Sequence, residues 1–189
     1  MRKVIVSNLV SLDGYLAGPD GDLSWFGVGP EFFAYVHKMM PTLGMLLFGR
    51  VTYEMMVGHW TKPEVVRDDA VVAPFMNELP KLVASRTLKE ASWGRWNNAT
   101  VTADPVEAVR ALKAQVGKDM AIYGSGGLVS ALAEAGLIDE YRLMMNPVIL
   151  GQGIPMFRRI QKRIPLELVA SEVFDKKMTM LTYRPEKTS

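Results

Sequence analysis

The sequence has no cysteine and only two histidines, His37 and His59, among its 189 residues. The lack of cysteine excludes disulfides, thiolate metal sites and cysteine nucleophiles. The histidines are far apart in the sequence, and neither has an obvious ligand partner. The motifs Gly-x-Ser-x-Gly and His-Glu-x-x-His are also missing. Hydrolytic triads and zinc sites are therefore poor interpretations, and we expect no metal.

A strong charge imbalance and long apolar runs are also lacking. The net charge is +2, so no strong field recruits nucleic acid or an anionic membrane. No stretch approaches the roughly 18 continuous apolar residues of a membrane span. The basic N-terminus is followed by a broken apolar run without a small-residue cleavage pattern, so we expect no secretory signal. The cytoplasm is therefore the expected location. At 189 residues, the chain is expected to form one domain over 1–189.

Strand-like and helix-like stretches alternate along the chain. Apolar and β-branched stretches predict strands at 3–10, 43–48, 80–86, 99–103, 120–123, 139–147, 166–174 and 178–184. Helical spacing of apolar residues predicts helices at 30–40, 51–57, 70–79, 105–116 and 128–135. The clearest helix has Asp104 as its N-cap and Val109, Leu112 and Val116 as its apolar stripe. The alternation predicts an α/β fold with a mainly parallel, sandwiched sheet and an antiparallel C-terminal edge.

A glycine turn is the most informative feature of the chain. An apolar run breaks at Gly124, Ser125, Gly126 and Gly127, and resumes with Leu128 at helical spacing. This order predicts a strand, a turn and a helix start, where backbone N–H groups and the helix dipole favour an anion. A purely structural turn is the alternative interpretation. A Rossmann domain is disfavoured because the Gly-x-Gly-x-x-Gly spacing is not obeyed.

A second turn of the same kind carries Gly49, Arg50 and Thr52. Two strand-to-helix turns suggest a ligand with more than one phosphate, and a dinucleotide is the natural candidate. Ser85 and Arg86 follow another strand end, where an arginine and hydroxyls suit an extra ribose phosphate. Solvated surface arginines remain the alternative for both positions.

The first loop mixes glycines, a carboxylate and aromatic residues, from Asp13 to Phe26. Such a loop could close over a flat ring and exclude water. Asp13 as a turn cap and Trp25 as a core residue are the alternatives. Glu31 directly follows Pro30 at a predicted helix start, where it can serve simply as a favourable charge at the helix N-terminus.

Several motifs together resemble the dihydrofolate reductase superfamily, and most closely the reductase domain of the bifunctional riboflavin-pathway deaminase/reductase. They are SLDG at 11–14, SW at 24–25, LFGRVT at 47–52, VASR at 83–86, YGSGGL at 123–128, GLIDE at 136–140 and PVILG at 147–151. The resemblance covers nearly the whole chain. It implies a dihydrofolate-reductase-like three-layer sandwich with NADPH as cofactor.

The resemblance also implies roles for individual residues. Gly49, Arg50 and Thr52 would hold the NADPH phosphates, and Ser85 and Arg86 the adenosine end with its extra phosphate. The pyrophosphate and nicotinamide would be lined by Gly124, Ser125, Gly126, Gly127 and Leu128. The nicotinamide and substrate would be framed by Asp13, Tyr15, Leu16 and Trp25, and the substrate also by Tyr123, which stands where riboflavin-pathway reductases have a glutamate.

From the resemblance we expect an NADPH-dependent reductase that passes a hydride to a C=N or C=O carbon of a small pterin- or pyrimidine-like substrate, such as the riboflavin-pathway 5-amino-6-(5-phosphoribosylamino)uracil. Asp13 or Glu31 would relay or stabilise a proton. The alternatives are dihydrofolate reductase activity and a non-enzymatic nucleotide-binding protein of the same fold. A homodimer is expected by family analogy, without nucleic-acid or membrane partners.

Overall fold

The computed structural model describes residues 1–186, which form a sheet of eight strands and a separate ribbon of two. The strands are β1 (Val4–Ser11), β2 (Tyr15–Ala17), β3 (Leu43–Gly49), β4 (Lys81–Ala84), β5 (Ala99–Thr102), β6 (Asp119–Ile122), β7 (Glu140–Asn146), β8 (Ile154–Pro155), β9 (Leu166–Phe174) and β10 (Met178–Pro185). The α-helices are α1 (Pro30–Met39), α2 (Arg50–Trp60), α3 (Pro63–Asp68), α4 (Val72–Glu78), α5 (Pro105–Ala114) and α6 (Gly126–Glu134). Short 3-10 turns cover Pro19–Gly21, Met40–Thr42 and Gly94–Trp96.

The large sheet has the strand order β5-β4-β3-β6-β1-β7-β10-β9. Neighbouring strands from β5 to β7 pair in parallel, whereas β10 is antiparallel to both β7 and β9. The predicted sheet, mainly parallel with an antiparallel C-terminal edge, is therefore confirmed. The second sheet is a short antiparallel ribbon of β2 and β8, which joins the first loop to a late one.

Both faces of the sheet are buried at its central strands, where apolar side chains point alternately to the two sides. Val4, Val6 and Val10 of β1 belong to one core cluster, together with Val109 of α5 and Leu132 of α6. Ile5 belongs to a second cluster on the other face, with Tyr53 of α2 and Met76 of α4. The result is the predicted three-layer arrangement of helix, sheet and helix.

The prediction for the clearest helix is right at its start and wrong at its end. Asp104 caps the helix, since its Oδ1 accepts a hydrogen bond from the Glu107 N–H at 3.1 Å. The helix ends at Ala114 because Gln115 has an extended backbone, with φ −78° and ψ 157°. Val116 consequently lies outside the helix and is fully exposed, rather than part of its apolar stripe.

The other differences between the predicted and the observed secondary structure are confined to short segments. Helix α6 begins at Gly126, two residues before the predicted start at Leu128, so two of the glycines form its first turn. The short helix α3 and the strands β2 and β8 have too little apolar periodicity to be predicted. In residues 1–186, no helix combines the length and the apolar character needed to cross a bilayer.

Candidate functional site

A cavity of about 770 Å³ lies where the parallel strands β3, β4 and β6 end in their following turns. Its wall includes Gly49 after β3, Ser85 after β4 and Gly124 after β6. In open α/β sheets, ligands bind outside the carboxyl ends of the strands, close to the point where the strand order reverses. Such a reversal occurs here. Strands β3, β4 and β5 follow one another in one direction across the sheet, and β6 then pairs on the opposite side of β3, between β3 and β1.

The two predicted turns are joined by hydrogen bonds. The Gly49 N–H donates to Ser125 Oγ at 2.9 Å, and the Ser125 N–H donates to Thr52 Oγ1 at 3.1 Å. The Asn8 side chain fixes the second turn from below, because its Nδ2 donates to the Gly124 carbonyl at 3.1 Å and its Oδ1 accepts from the Gly124 N–H. The two turns therefore form one continuous wall.

Backbone geometry explains why glycine recurs in this wall. Gly124 has a φ of +58°, and a Cβ there would lie 3.1 Å from Thr52 Oγ1. A Cβ on Gly126 would lie 2.7 Å from the Pro155 carbonyl oxygen. A Cβ on Gly127 would meet no protein atom within 4 Å and would project into open space. Gly124 and Gly126 are thus required by the protein's own packing, whereas Gly127 leaves room for a ligand.

Both helices that follow the turns lack a side-chain cap at the N-terminus. No side chain accepts a capping hydrogen bond at α2 or at α6. The first residues of both helices, including Val51 and Gly127, line the cavity. Uncapped N–H groups and two helix dipoles therefore favour an anionic ligand at this wall.

Three arginines add positive charge to the same part of the wall: Arg50, Arg86 and Arg158. Arg50 Nη1 contacts Glu54 Oε1 at 2.9 Å, with both side chains close to half exposed. An exposed pair of this kind contributes little to stability, so a ligand phosphate can compete with Glu54 for the guanidinium.

Ser85 and Arg158 are each fixed through a hydroxyl and a backbone N–H. Ser85 Oγ accepts from the Leu88 N–H at 2.9 Å, which shapes the turn that carries Arg86. The Arg158 N–H donates to Ser130 Oγ at 2.8 Å. Arg158 was not predicted, because it lies after the Gly/Pro loop and has no distinctive local pattern.

A large apolar part of the wall lies beneath helices α1, α2 and α4. It is lined by Phe32, Phe33, Val36, Met39, Met55, Met56, Trp60, Val72, Phe75, Met76 and Met144. We call this part the apolar chamber. Of these side chains, Phe33 and Met55 are each 45% exposed, although they are large and apolar.

Tyr123 and Ser7 also line the cavity. Within residues 1–186, the Tyr123 hydroxyl has no hydrogen-bond partner. Burial raises the pKa of Tyr123, so the phenol stays protonated at neutral pH and is available as a donor.

A charged network lies behind the chamber and not on its wall. Arg142 Nη1 donates to the Tyr35 hydroxyl at 3.2 Å, and Glu140 pairs with Arg142 at 2.6 Å and with Arg184 at 2.9 Å. Burial alone would raise the pKa of Glu140, but hydrogen bonds from Arg184 and Arg142 outweigh it and lower the pKa. The charge of Arg142 is thus already compensated within the protein.

The two carboxylates predicted to be catalytic do not line the cavity. Asp13 accepts hydrogen bonds from the Ser11 hydroxyl at 2.7 Å, the Gly151 N–H at 2.7 Å and the Leu150 N–H at 3.2 Å. The hydrogen bond from Ser11 is the largest influence on the pKa of Asp13, which is lowered. Asp13 therefore fastens the first loop to the segment before β8, and this placement does not support a role in proton transfer.

Glu31 is also engaged elsewhere. Its Oε2 accepts from the Asp175 N–H at 2.5 Å, and its own N–H donates to Asp175 Oδ1 at 3.4 Å. These bonds tie the start of α1 to the turn between β9 and β10. The placement does not support a catalytic Glu31.

The four residues predicted to contact substrate divide evenly. Leu16 and Tyr123 line the cavity. Tyr15 instead donates its hydroxyl to the Gly151 carbonyl at 3.4 Å, and the Trp25 indole donates to the Asp22 carbonyl at 3.1 Å. The aromatic residue of this loop that reaches the wall is Phe26, the neighbour of Trp25.

All ten residues predicted to bind the coenzyme, by contrast, line this one cavity: Gly49, Arg50, Thr52, Ser85, Arg86, Gly124, Ser125, Gly126, Gly127 and Leu128. The sequence analysis missed Ser7, Asn8 and most of the apolar chamber. The signal for Ser7 and Asn8 was present, since they are two adjacent polar residues between the apolar runs of β1. The chamber residues have no such signal, because their helical spacing is that of ordinary core residues.

The strand order and the cavity at the ends of β3, β4 and β6 define a dihydrofolate-reductase-like protein. Residues 2–180 match the family model of the RibD C-terminal domain, and the chain belongs to this family.

Individual relatives agree with this assignment. The chain is 29% identical over 185 residues to the uncharacterized protein YyaP of Bacillus subtilis (strain 168), covering 96% of this chain and 94% of that protein. A Shewanella sp. PV-4 protein, provisionally assigned to riboflavin biosynthesis, has a similar structure with 24% identity and a TM-score of 0.75, covering 98% and 99% of the two chains. Dihydrofolate reductase from Enterococcus faecalis, in complex with NADP(H), has 17% identity and a TM-score of 0.65, with 98% and 97% coverage. The two structures establish the likeness of fold.

Proposed function

We propose that this chain is an NADPH-dependent reductase that delivers a hydride to a C=N or C=O carbon of a small heterocyclic substrate. Membership of the RibD C-terminal domain family supports a reductase-like function at the coarse level. The observation that carries the finer proposal is one cavity in which two uncapped helix N-termini and three arginines adjoin an apolar chamber.

The residues present fit an extended dinucleotide. In this proposal the first turns of α2 and α6 hold the pyrophosphate, with Gly127 leaving space for it. Arg86 holds the phosphate on the adenosine ribose, where a planar guanidinium gives bidentate geometry. The bound coenzyme supplies the hydride from its reduced nicotinamide.

The protein itself orients the substrate, excludes water from the reacting carbon and donates a hydrogen bond to the substrate heteroatom. The apolar chamber excludes water from the reacting carbon. The Tyr123 hydroxyl donates a hydrogen bond to the substrate nitrogen or oxygen, which gains an electron pair as the carbon accepts the hydride. Burial raises the pKa of Tyr123, so the phenol stays neutral and acts as a hydrogen-bond donor, and the proton that completes the reduction comes from water.

Titration of NADPH into the protein tests the coenzyme site. The wild type should bind NADPH, and Gly127→Val should weaken binding by about tenfold or more, because its side chain would fill the open space at the start of α6. Gly58→Val is the matched control, since Gly58 is also an exposed helical glycine without neighbours within 4 Å but lies off the cavity wall. Equal weakening by both variants, or no binding to the wild type, contradicts the proposal.

Two further expectations remain proposals. A homodimer is proposed from family analogy, and sedimentation velocity at micromolar concentration tests it, with a monomer as the contradicting result. Turnover of NADPH against a panel of pterins and pyrimidines separates an enzyme from a nucleotide-binding protein that only uses the same fold.

A further inference from the structure

Charge is distributed unevenly along the cavity. The cationic residues Arg50, Arg86 and Arg158 all lie beside the turns and loops at the nucleotide-binding side. Helices α1 and α4 contribute no arginine or lysine to the described lining of the cavity, and the cation that α2 contributes, Arg50, is its first residue. The acidic residue Asp69 also lines the cavity, and its Oδ1 accepts the Val71 and Val72 N–H groups at 3.1 and 2.7 Å.

A phosphorylated or carboxylated substrate would therefore be unpaired in this chamber. Removing an anion from water without a cationic or multiple N–H partner costs several kcal/mol, on the order of the whole binding free energy of a weak ligand. The half-buried guanidinium of Arg142, which does not line the cavity, is already paired with Glu140 and hydrogen-bonded to Tyr35. The carboxylate of Asp69 adds repulsion rather than compensation.

The surface that the chamber does offer is apolar and adaptable. Five methionines line it, namely Met39, Met55, Met56, Met76 and Met144. Thioether side chains are flexible and polarizable, and they make favourable contacts with aromatic rings. Phe33 and Met55 are large apolar side chains left 45% exposed, and a bound molecule would cover them.

We infer that the substrate of this site is an uncharged, flat, mainly apolar aromatic compound with a C=O or C=N group, and that it bears neither phosphate nor carboxylate. This inference rests on the proposed reductase function and narrows its substrate class. The reacting carbon receives the hydride, the π electrons of C=O or C=N move to the heteroatom, and the heteroatom accepts a hydrogen bond from the Tyr123 hydroxyl and then takes up a proton from water. The reduced coenzyme is oxidised by two electrons in the same step.

The test uses N-phenyl-1-naphthylamine, an uncharged aromatic probe whose fluorescence rises in apolar surroundings. NADP⁺ binding is measured first, and the probe is then titrated into the protein saturated with NADP⁺. We expect a dissociation constant on the order of micromolar and no displacement by ribose 5-phosphate at roughly 10 mM.

Two variants locate the probe. Phe33→Ser should weaken probe binding about fivefold or more, because Phe33 is a large exposed side chain of the chamber. Leu168→Ser is the matched control, since Leu168 of β9 is 53% exposed and does not line the cavity. It should leave probe binding unchanged, and thermal melting checks that both variants fold.

The possible failures are distinguishable. If NADP⁺ does not bind, the proposed function fails and the substrate class fails with it. If NADP⁺ binds but the probe does not, or if ribose 5-phosphate displaces the probe, the reductase proposal stands and the uncharged substrate class is overturned. Equal effects of Phe33→Ser and Leu168→Ser place the probe outside the chamber and also overturn it.

Discussion

Lys81 is a charged residue in an almost wholly buried position, with 1% of its surface exposed. Its Nζ donates to the Asn77 carbonyl at 2.7 Å and to Asn98 Oδ1 at 3.2 Å, and it lies 4.3 Å from the centre of the Trp93 ring. Asn77 in turn accepts the Trp93 indole N–H at 2.7 Å. This cluster joins α4 to the segment before β5 and uses a lysine as a hydrogen-bond donor without a carboxylate.

The pH dependence of stability should reveal Lys81. Burial lowers the pKa of Lys81 to about 7, whereas an unfolded lysine titrates near roughly 10.4. Between these values the unfolded state binds the additional proton, so the free energy of unfolding should rise with pH by at most about 1.4 kcal/mol per unit. Below pH 7 both states are protonated, and this contribution no longer changes.

Thermal melting of the wild type and of Lys81→Met at pH 7 and at pH 10 measures this effect. The advantage of the wild type over the variant should be larger at pH 10. A constant difference between the two pH values contradicts the prediction and means that the carbonyl oxygens and the Trp93 ring keep the ammonium charged.

Asp13 provides a prediction of a different kind. Asp13→Asn should lower the melting temperature, because an amide cannot accept the bonds from Ser11, Leu150 and Gly151 with the same geometry. Affinity for NADPH should stay within about twofold of wild type, since Asp13 is off the cavity wall. An unchanged melting temperature would refute the loop-fastening role.

Residue chemistry alone predicted the coenzyme side of the cavity better than the catalytic groups. Glycines and hydroxyls directly after strands are tied to the strand ends by the backbone itself, so Gly49 and Gly124 could hardly lie elsewhere. A carboxylate has no such constraint. Asp13 and Glu31 turn toward the N–H groups of loops that are distant in sequence, and no local pattern in the sequence reveals those partners.

At the scale of elements, one serine and one glycine hold the cavity wall together. Ser125 bonds to Gly49 of the first turn, and Gly126 allows the first turn of α6 to touch the β8 segment. Local patterns predicted the strands and helices that surround these contacts. They could not predict that the turns would be bonded to each other, because strand order decides which turns are neighbours.

Gly126→Ala should destabilise the protein by about 1–3 kcal/mol, since its methyl group would lie 2.7 Å from the Pro155 carbonyl oxygen and 2.8 Å from that of Met156. Gly127→Ala, one residue further along the same helix, should be neutral or stabilising by up to about 1 kcal/mol. Urea denaturation measures both. Similar losses for the two variants would refute the close contact at Gly126.

At the scale of the whole molecule, the bound coenzyme should stabilise every element that contacts it. NADPH at about 100 times its dissociation constant should add about 2.7 kcal/mol to the free energy of unfolding, which raises the melting temperature by roughly 5–10 °C. At the same NADPH concentration the shift should fall to about half or less in Gly127→Val, since a tenfold loss of affinity leaves about 1.4 kcal/mol, and it should persist in full in Gly58→Val. A thermal shift assay with NADPH and with NADH measures both the effect and the preference between the coenzymes.

Strand order is the property of the whole molecule that the sequence patterns could not provide. Periodicity predicted a mainly parallel sheet with an antiparallel end. It could not predict the order β3-β6-β1, because no local sequence pattern indicates that β6 inserts between two earlier strands. Resemblance to a known superfamily supplied the architecture where periodicity could not.

The return of β6 has a consequence for biosynthesis. Four strands of the large sheet, β1, β3, β4 and β5, precede β6 in the chain. They cannot form a continuous sheet without it, because β1 and β3 bond only through β6, whose residues are Asp119–Ile122. Until the ribosome releases that segment, two apolar strand edges remain open on the nascent chain. Fragments that end before residue 119 should accordingly be captured by chaperones or aggregate, whereas addition of a few more residues permits closure of the centre of the sheet.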